Sequence, residues 1–159
     1  MPPPAIKAAT KARQARGSER PKFLTVPYLS SLDASDLSSV ASGESDVDAV
    51  ILKRGRAALE AGCDGLIVSG QAIGRCRAAF PHPTILVSPG IRLAGGAVDD
   101  HKRHCTPAEA ITLGADYLVV GRPIRTAPDP REAAHRVMAE IDQALDARGG
   151  RAPGAFDRR

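Results

Sequence analysis

Aromatic residues are scarce in this 159-residue sequence, which has no tryptophan, three phenylalanines and two tyrosines. No stretch alternates these few rings with Lys or Arg, so the stacking platforms that bind single-stranded nucleic acids are lacking. Cysteine is also sparse: Cys63, Cys76 and Cys105 are odd in number and form no Cys-x-x-Cys pair. The sequence therefore predicts neither a disulfide framework nor a zinc knuckle, and reduced thiols are expected. Cys63 and Cys76 are interpreted as small packing residues, and only Cys105, beside a polar loop, has a case for reactivity.

Long apolar runs are missing as well. The longest, such as Tyr117–Val120, fall far below the roughly 18 residues that a membrane-spanning helix needs. No apolar segment of the kind found in secretory signal peptides follows the Met-Pro-Pro-Pro start. We therefore expect no membrane partner and a cytoplasmic location.

The positive charge is confined to the two ends of the chain. Residues 1–22 carry six Lys or Arg against one acid, and residues 148–159 carry four against one. The body between them has 12 basic and 16 acidic residues, which gives it a net charge of −4. A groove for a polyanion is therefore not indicated, and no nucleic-acid partner is expected despite the sequence pI of 9.3.

Short apolar runs rich in Val, Ile and Leu predict four buried strands, separated by segments with helical periodicity. Strands that alternate with helices pair in parallel, because only a long crossover returns the chain to the starting edge. The predicted strands are Phe23–Leu29, Gly65–Ser69, Thr84–Ser88 and Tyr117–Val120.

Several helix boundaries are also marked in the sequence. Asp46–Ala61 is amphipathic and is followed by Gly62, a residue that commonly ends helices. Thr106-Pro107-Ala108-Glu109 has the order of a capping box with proline at the first helical position, and Asp129-Pro130-Arg131-Glu132 repeats it. The second helix should place a stripe of apolar residues against a sheet. We predict one domain over residues 1–147, beginning with a helix at Ala5–Ala15, and a disordered basic tail over 148–159.

Two loops after the predicted strands have residues suited to phosphate. Gly121-Arg122 follows one strand, and Gly90 with Arg92 follows another. Glycine lets a ligand approach the backbone closely, and arginine offers a planar fork of donors to a phosphate. On spacing alone, a plain turn with a surface arginine explains Gly121-Arg122-Pro123 about as well.

Taken together, these segments resemble the orotidine 5'-phosphate decarboxylase family in order and spacing over about residues 5–146. The matching segments are Leu29–Leu37, Ala61–Ser69, Ser88–Arg92, the polar loop Gly95–Arg103, Thr106–Ala110 and Gly114–Ile124.

The resemblance implies a fold and a set of binding residues. The fold is an α/β half of a (β/α)8 TIM barrel of the ribulose-phosphate-binding type, with four parallel strands that match strands five to eight. The family's pyrimidine contact falls on Ser30, and its phosphate contacts fall on Arg92, Gly121 and Arg122. The loop residue that closes over the phosphate, a glutamine in the family, is His101 here. No cofactor and no metal are implied.

A proline in the first predicted strand departs from the family pattern. Pro27 cannot donate a ladder hydrogen bond, so we expect that strand to be distorted or to lie at a sheet edge.

The resemblance places the family's catalytic Asp and Lys array at the end of strand three, outside this sequence. The expected function is decarboxylation of orotidine 5'-phosphate to uridine 5'-phosphate by family membership, with this chain inactive alone. A half barrel leaves sheet edges and an inner face uncovered, so we expect a homodimer or a partner half-barrel.

The alternative function is a non-catalytic module that binds nucleotide phosphates or associates with other barrel chains. A metal site is a weaker alternative, formed by Asp99, His101, His104 and Cys105.

Overall fold

The fold is described by a computed structural model that covers residues 4–29, 31–32, 34–36, 46–93 and 104–149. Strands and helices alternate along these ranges, as the sequence predicts. The strands are β1 (Leu24–Thr25), β2 (Gly65–Ile67), β3 (Ile85–Ser88) and β4 (Tyr117–Leu118). The helices are α1 (Pro4–Ala15), a 3-10 turn at Ala34–Asp36, α2 (Val47–Glu60), α3 (Ala72–Ala79), α4 (Pro107–Thr112), α5 (Arg122–Arg125) and α6 (Pro130–Ala147).

The strands form one parallel sheet in the order β1-β2-β3-β4, which is the order of the chain. Leu24 pairs with Gly65 and Gly65 with Ile85, while Val87 pairs with Tyr117. Each strand therefore lies beside the next one in sequence, and helices provide the crossovers. This is the strand order of a (β/α) barrel, and the predicted four-stranded parallel architecture is confirmed.

The helix ends form where the capping residues predict them. The Asp46 carboxylate accepts a hydrogen bond from Asp48 N–H at the start of α2, and Gly62 turns the chain after that helix with φ of 98°. Thr106 and Glu109 form a complete capping box at α4. Asp129 caps α6 by accepting from the backbone N–H groups of the second and third residues after it.

The two faces of the sheet differ in their surroundings. Leu66, Leu86 and Ser88 are fully buried beneath the helices, and Val68 on the same face is nearly so. The core continues into α2 and α3 through Val50, Ile51, Ile73, Cys76 and Phe80. Side chains that alternate with these point to the opposite face and are more exposed at the strands that end the sheet order.

Two aspartates tie together the amino edge of the sheet, where the strands begin. Asp64, just before β2, accepts from Phe23 N–H at 2.7 Å and pairs with Arg13 of α1 at 2.5 Å. Asp116, just before β4, accepts from Leu86 N–H at 2.7 Å and pairs with Arg77 at 2.6 Å. Each carboxylate thus joins the backbone of a neighbouring strand to an arginine on a helix.

The first strand and the last helix show how far local sequence patterns predict strand length and helix packing. β1 has only two residues, stops before Pro27 and lies at one end of the order of the described strands, in agreement with the expected distorted or edge strand. In α6, Ala133 and Val137 are buried as predicted, but the main packing partners of this helix are α4 and α5. The predicted tail lies outside the described residues from 150 onward, so the domain boundary at 147 remains a prediction.

Cys63 and Cys76 are buried packing residues, as predicted. Burial raises the pKa of the Cys76 thiol to about 11, which keeps it protonated at neutral pH. Within the described ranges, no helix is both long enough and apolar enough to cross a membrane.

Candidate functional site

The candidate site lies at the carboxyl edge of the sheet, opposite the Asp64 and Asp116 contacts. In a parallel sheet, the loops that leave neighbouring strands emerge side by side at this edge. β3 and β4 are neighbours, and Val119 N–H donates to the Ser88 carbonyl at 2.8 Å just beyond their paired residues. The loops that contain Arg92 and Arg122 therefore start from adjacent strand ends.

The loop after β3 is held by backbone bonds. Gly90 has φ of 74°, a conformation that favours glycine. Ile91 then forms a parallel bridge with Cys105, and Arg92 N–H donates to the Cys105 carbonyl at 3.0 Å. The Arg92 side chain is half-buried and donates from Nη1 to the Ile91 carbonyl at 2.9 Å. The backbone at Arg92 is thus fixed to the segment just before α4.

The loop after β4 is more open. Gly121 is exposed, and a Cβ placed on it would have no atom within 4 Å. A ligand can therefore reach its backbone without steric hindrance. Arg122 follows in a half-buried position, and its carbonyl accepts from the Thr126 hydroxyl at 2.8 Å.

Beneath these loops lies a small buried cluster of polar groups that the sequence analysis did not identify. Ser69, Ser88 and Cys105 are each at most 3% exposed, and the Ser88 hydroxyl lies 3.9 Å from the Cys105 sulfur. The Gly70 backbone N–H is near enough to the thiol to lower its pKa. The cluster connects the ends of β2 and β3 to the start of α4. The sequence feature that could have predicted this cluster is that each of two apolar strands ends in a serine, in Val68-Ser69-Gly70 and in Val87-Ser88.

Cys105 is not placed for reactivity, which corrects the expectation that it had the best case among the three cysteines. Burial raises the pKa of its thiol, and the hydrogen bonds with Ser88 and Gly70 offset only part of that effect. A protonated, buried thiol is a poor nucleophile and a poor metal ligand.

Two of the five predicted binding residues, Ser30 and His101, lie outside the described residues. Asp99, from the alternative metal site, lies outside them too, while His104 is exposed and Cys105 is buried. Across the described ranges, no three His, Cys, Asp or Glu side chains are grouped to hold a metal ion. Arg92, Gly121 and Arg122, the other three predicted binding residues, lie within the described ranges.

Comparison with known proteins agrees with this arrangement. The model of the orotidine 5'-phosphate decarboxylase / HUMPS family matches residues 1–137. The chain belongs to this family. The resemblance described from the sequence is therefore confirmed, and the activity for which the family is named makes it a family of carboxy-lyases.

Curated relatives in the family are similar over most of this chain. The orotidine 5'-phosphate decarboxylase of Afipia carboxidovorans is 45% identical over 139 residues, which are 87% of this chain and 57% of that protein. The orotidine 5'-phosphate decarboxylase of Methylococcus capsulatus is 47% identical over 120 residues, 75% of this chain and 49% of the relative. The chain thus spans about half the length of the curated relatives it matches.

Solved structures agree on the fold. The orotidine 5'-phosphate decarboxylase of Lactobacillus acidophilus superposes with a TM-score of 0.69 at 28% identity, covering 86% of this chain and 58% of that one. The enzyme of Pyrococcus horikoshii superposes with a TM-score of 0.58 at 23% identity, over 89% of this chain and 70% of that one. The four strands are therefore those of a half barrel of this family.

Proposed function

We propose that this chain forms the nucleotide-binding half of a cytoplasmic orotidine 5'-phosphate decarboxylase, which converts orotidine 5'-phosphate to uridine 5'-phosphate and carbon dioxide. The observation that carries the proposal is that Arg92 and Gly121-Arg122 follow two adjacent parallel strands of a sheet with this family's fold. Phosphate would bind there, and Ser30 would contact the pyrimidine.

The chemistry of these residues supports phosphate as the ligand. Guanidinium groups form paired, charge-assisted hydrogen bonds with phosphate oxygens. The open space at Gly121 allows an oxygen to reach the backbone N–H. Because Arg92 N–H is bonded to the Cys105 carbonyl, the backbone at Arg92 is held in place before ligand binds, which lowers the entropy cost of binding. His101 would then donate to the phosphate from the closing loop.

Decarboxylation requires more than this site. The family's reaction needs a lysine that protonates the carbanion left by carbon dioxide and carboxylates that position that lysine, and the resemblance assigns these to strand three. Loss of a proton donor alone lowers a rate by about 10²- to 10⁴-fold. We therefore expect this chain, by itself, to bind the nucleotide without turning it over.

A second candidate function is a non-catalytic module that binds phosphorylated nucleotides. It is supported by the residues of the described loops, because guanidinium groups and a backbone N–H can bind a phosphate without transferring a proton to the substrate. In that case the phosphate loops serve recognition alone, and supplying the remaining part of a relative produces no activity.

One pair of experiments separates the two functions. Calorimetry of the full chain with uridine 5'-phosphate should show binding that uridine, which lacks the phosphate, does not reproduce. The absorbance of orotidine 5'-phosphate is then followed with the chain alone and with the segment of the Afipia carboxidovorans relative that this chain does not match. Turnover only in the mixture supports the decarboxylase half; binding without turnover in either supports the module. Equal binding of uridine and uridine 5'-phosphate would contradict both.

A further inference from the structure

Ser88 is buried at the point where the two loops with the predicted phosphate residues begin. It ends β3, and its hydroxyl lies 3.9 Å from the Cys105 sulfur and donates to the Pro89 carbonyl at 3.4 Å. Its own carbonyl accepts from Val119 N–H at 2.8 Å, two residues before Gly121. Ser88 therefore connects the start of the loop with Arg92 to the start of the loop with Gly121 and Arg122.

Cys105 continues this connection on the far side of the Arg92 loop. Its sulfur contacts the Ser88 hydroxyl and lies near the Gly70 backbone N–H. Its backbone forms a parallel bridge with Ile91, and its carbonyl accepts from Arg92 N–H at 3.0 Å. The side chain of Cys105 thus contacts the ends of β2 and β3, while its backbone holds Arg92.

The first turn of α4 holds Cys105 from the other direction. Thr106, the next residue, donates its N–H to the Glu109 carboxylate at 2.8 Å, and Glu109 N–H donates to the Thr106 hydroxyl at 3.2 Å. Pro107 is fully buried. Because Cys105 lies between this capped turn and the end of β3, a change in its side chain must shift the backbone or leave a void.

Phosphate recognition depends on where the guanidinium groups are held. An arginine donates two parallel hydrogen bonds to a phosphate only in a narrow range of positions, and a displacement of about 1 Å can weaken such a site substantially. Ser88 and Cys105 are buried beneath the loops, so their effect on a ligand would pass through the position of Arg92.

We propose that Ser88 and Cys105 are positioning residues, which hold Arg92 at the distance from Gly121 and Arg122 that a single phosphate requires. This inference rests on the proposed function, because it specifies how the same phosphate site keeps its shape.

The first test compares two buried cysteines. Cys105→Ala removes the sulfur beneath Arg92, and we expect the Kd for uridine 5'-phosphate to rise about 3- to 10-fold in calorimetry. Ser88→Ala removes the hydroxyl partner and should act in the same direction. Cys76→Ala is the matched control, since Cys76 is fully buried in α3, away from these loops. It should lower the stability in urea titrations but leave the Kd within about twofold of wild type.

The second test asks whether the effect passes through Arg92. In an Arg92→Ala chain, adding Cys105→Ala should change the Kd by less than about twofold, because the group that Cys105 positions is already gone. Hydrogen exchange at the Arg92 amide should also be faster in Cys105→Ala than in Cys76→Ala. If Cys105→Ala does not fold, the same cycle and the same exchange measurement are made with Ser88→Ala.

The outcomes separate this inference from the proposed function. If the wild-type chain binds uridine 5'-phosphate no better than uridine, both are overturned. If binding depends on the phosphate, three results would overturn the positioning role alone. These are an unchanged Kd in both Cys105→Ala and Ser88→Ala, an equal loss of affinity in Cys76→Ala, and additive effects of Cys105→Ala and Arg92→Ala.

Discussion

The two edges of the sheet use the same kinds of residue for different purposes. At the amino edge, Arg13 and Arg77 are paired with aspartates that also bind strand backbone. At the carboxyl edge, Arg122 directly follows the exposed Gly121, and Arg92 lies two residues after Gly90, a buried glycine with φ of 74°. We propose that the surroundings of each arginine decide its role: the arginines paired with carboxylates stabilise the fold, and those on the carboxyl-edge loops bind the ligand.

The largest expected effect is loss of an aspartate at the amino edge. Asp116→Ala would remove the partner of Arg77 and the acceptor for Leu86 N–H, two groups that are mostly buried. We expect the free energy of unfolding to fall by about 3 kcal/mol in urea titrations. As a control, Asp48→Ala breaks the more exposed Asp48–Arg75 pair and should cost less than about 1 kcal/mol. Equal effects would show that the amino edge is not specially stabilised.

Replacing a glycine by alanine should affect protein stability at the amino edge of the sheet but not at the carboxyl edge. A Cβ on Gly65 would lie 2.1 Å from the Ile85 carbonyl oxygen, a backbone atom between paired strands. Gly65→Ala should therefore destabilise the protein by about 2 to 3 kcal/mol. Gly121→Ala has open space and should leave thermal stability unchanged while weakening uridine 5'-phosphate binding. A stable Gly65→Ala protein would contradict the close strand approach.

Arginines at the carboxyl edge should affect binding and not stability. Arg92→Ala or Arg122→Ala removes charge-assisted hydrogen bonds, and we expect uridine 5'-phosphate affinity to fall about 10- to 100-fold in calorimetry. Arg122→Lys keeps the charge but loses the fork of donors, so it should restore only part of the affinity. Unfolding free energies should stay within about 0.5 kcal/mol of wild type. An unfolded Arg92→Ala protein would instead indicate a structural role like that of Arg77.

The smallest effect concerns acid sensitivity at Asp64. Burial alone would raise the pKa of this carboxyl, but the hydrogen bond from Phe23 N–H and the charges of Arg13 and Lys22 outweigh it and hold the pKa below its usual value. The folded state therefore releases this proton more readily than the unfolded chain. The resulting stability is present above about pH 4 and is lost as pH falls through the lower folded pKa. Asp64→Asn should flatten this part of the pH profile in thermal unfolding; an unchanged profile would contradict the assignment.

Much of the fold could be predicted because the signals are local. Apolar runs gave approximate strands, and Asp46, Thr106 and Asp129 marked helix starts that the structure confirms. The Asp64 and Asp116 contacts could not be predicted from local patterns, since each joins segments 30 or more residues apart. In retrospect, the repeated Gly-x-Asp before β2 and β4 is their signal.

The candidate site was predictable to a lesser degree. Parallel strand order places the Arg92 and Gly121-Arg122 loops at adjacent strand ends, which follows from alternating strands and helices. The burial of Cys105 and its contacts with Ser88 and Gly70 depend on tertiary packing, so the sequence suggested a reactive loop cysteine instead. Roles assigned to Ser30 and His101 stay predictions that rest on family resemblance.

A crystal structure of the full chain with uridine 5'-phosphate tests the central claim most directly. We expect the phosphate at the carboxyl ends of β3 and β4, within hydrogen-bond distance of Gly121 N–H and of the Arg92 and Arg122 guanidinium groups. A phosphate bound elsewhere, or guanidinium groups that point away from one another in the complex, would contradict it.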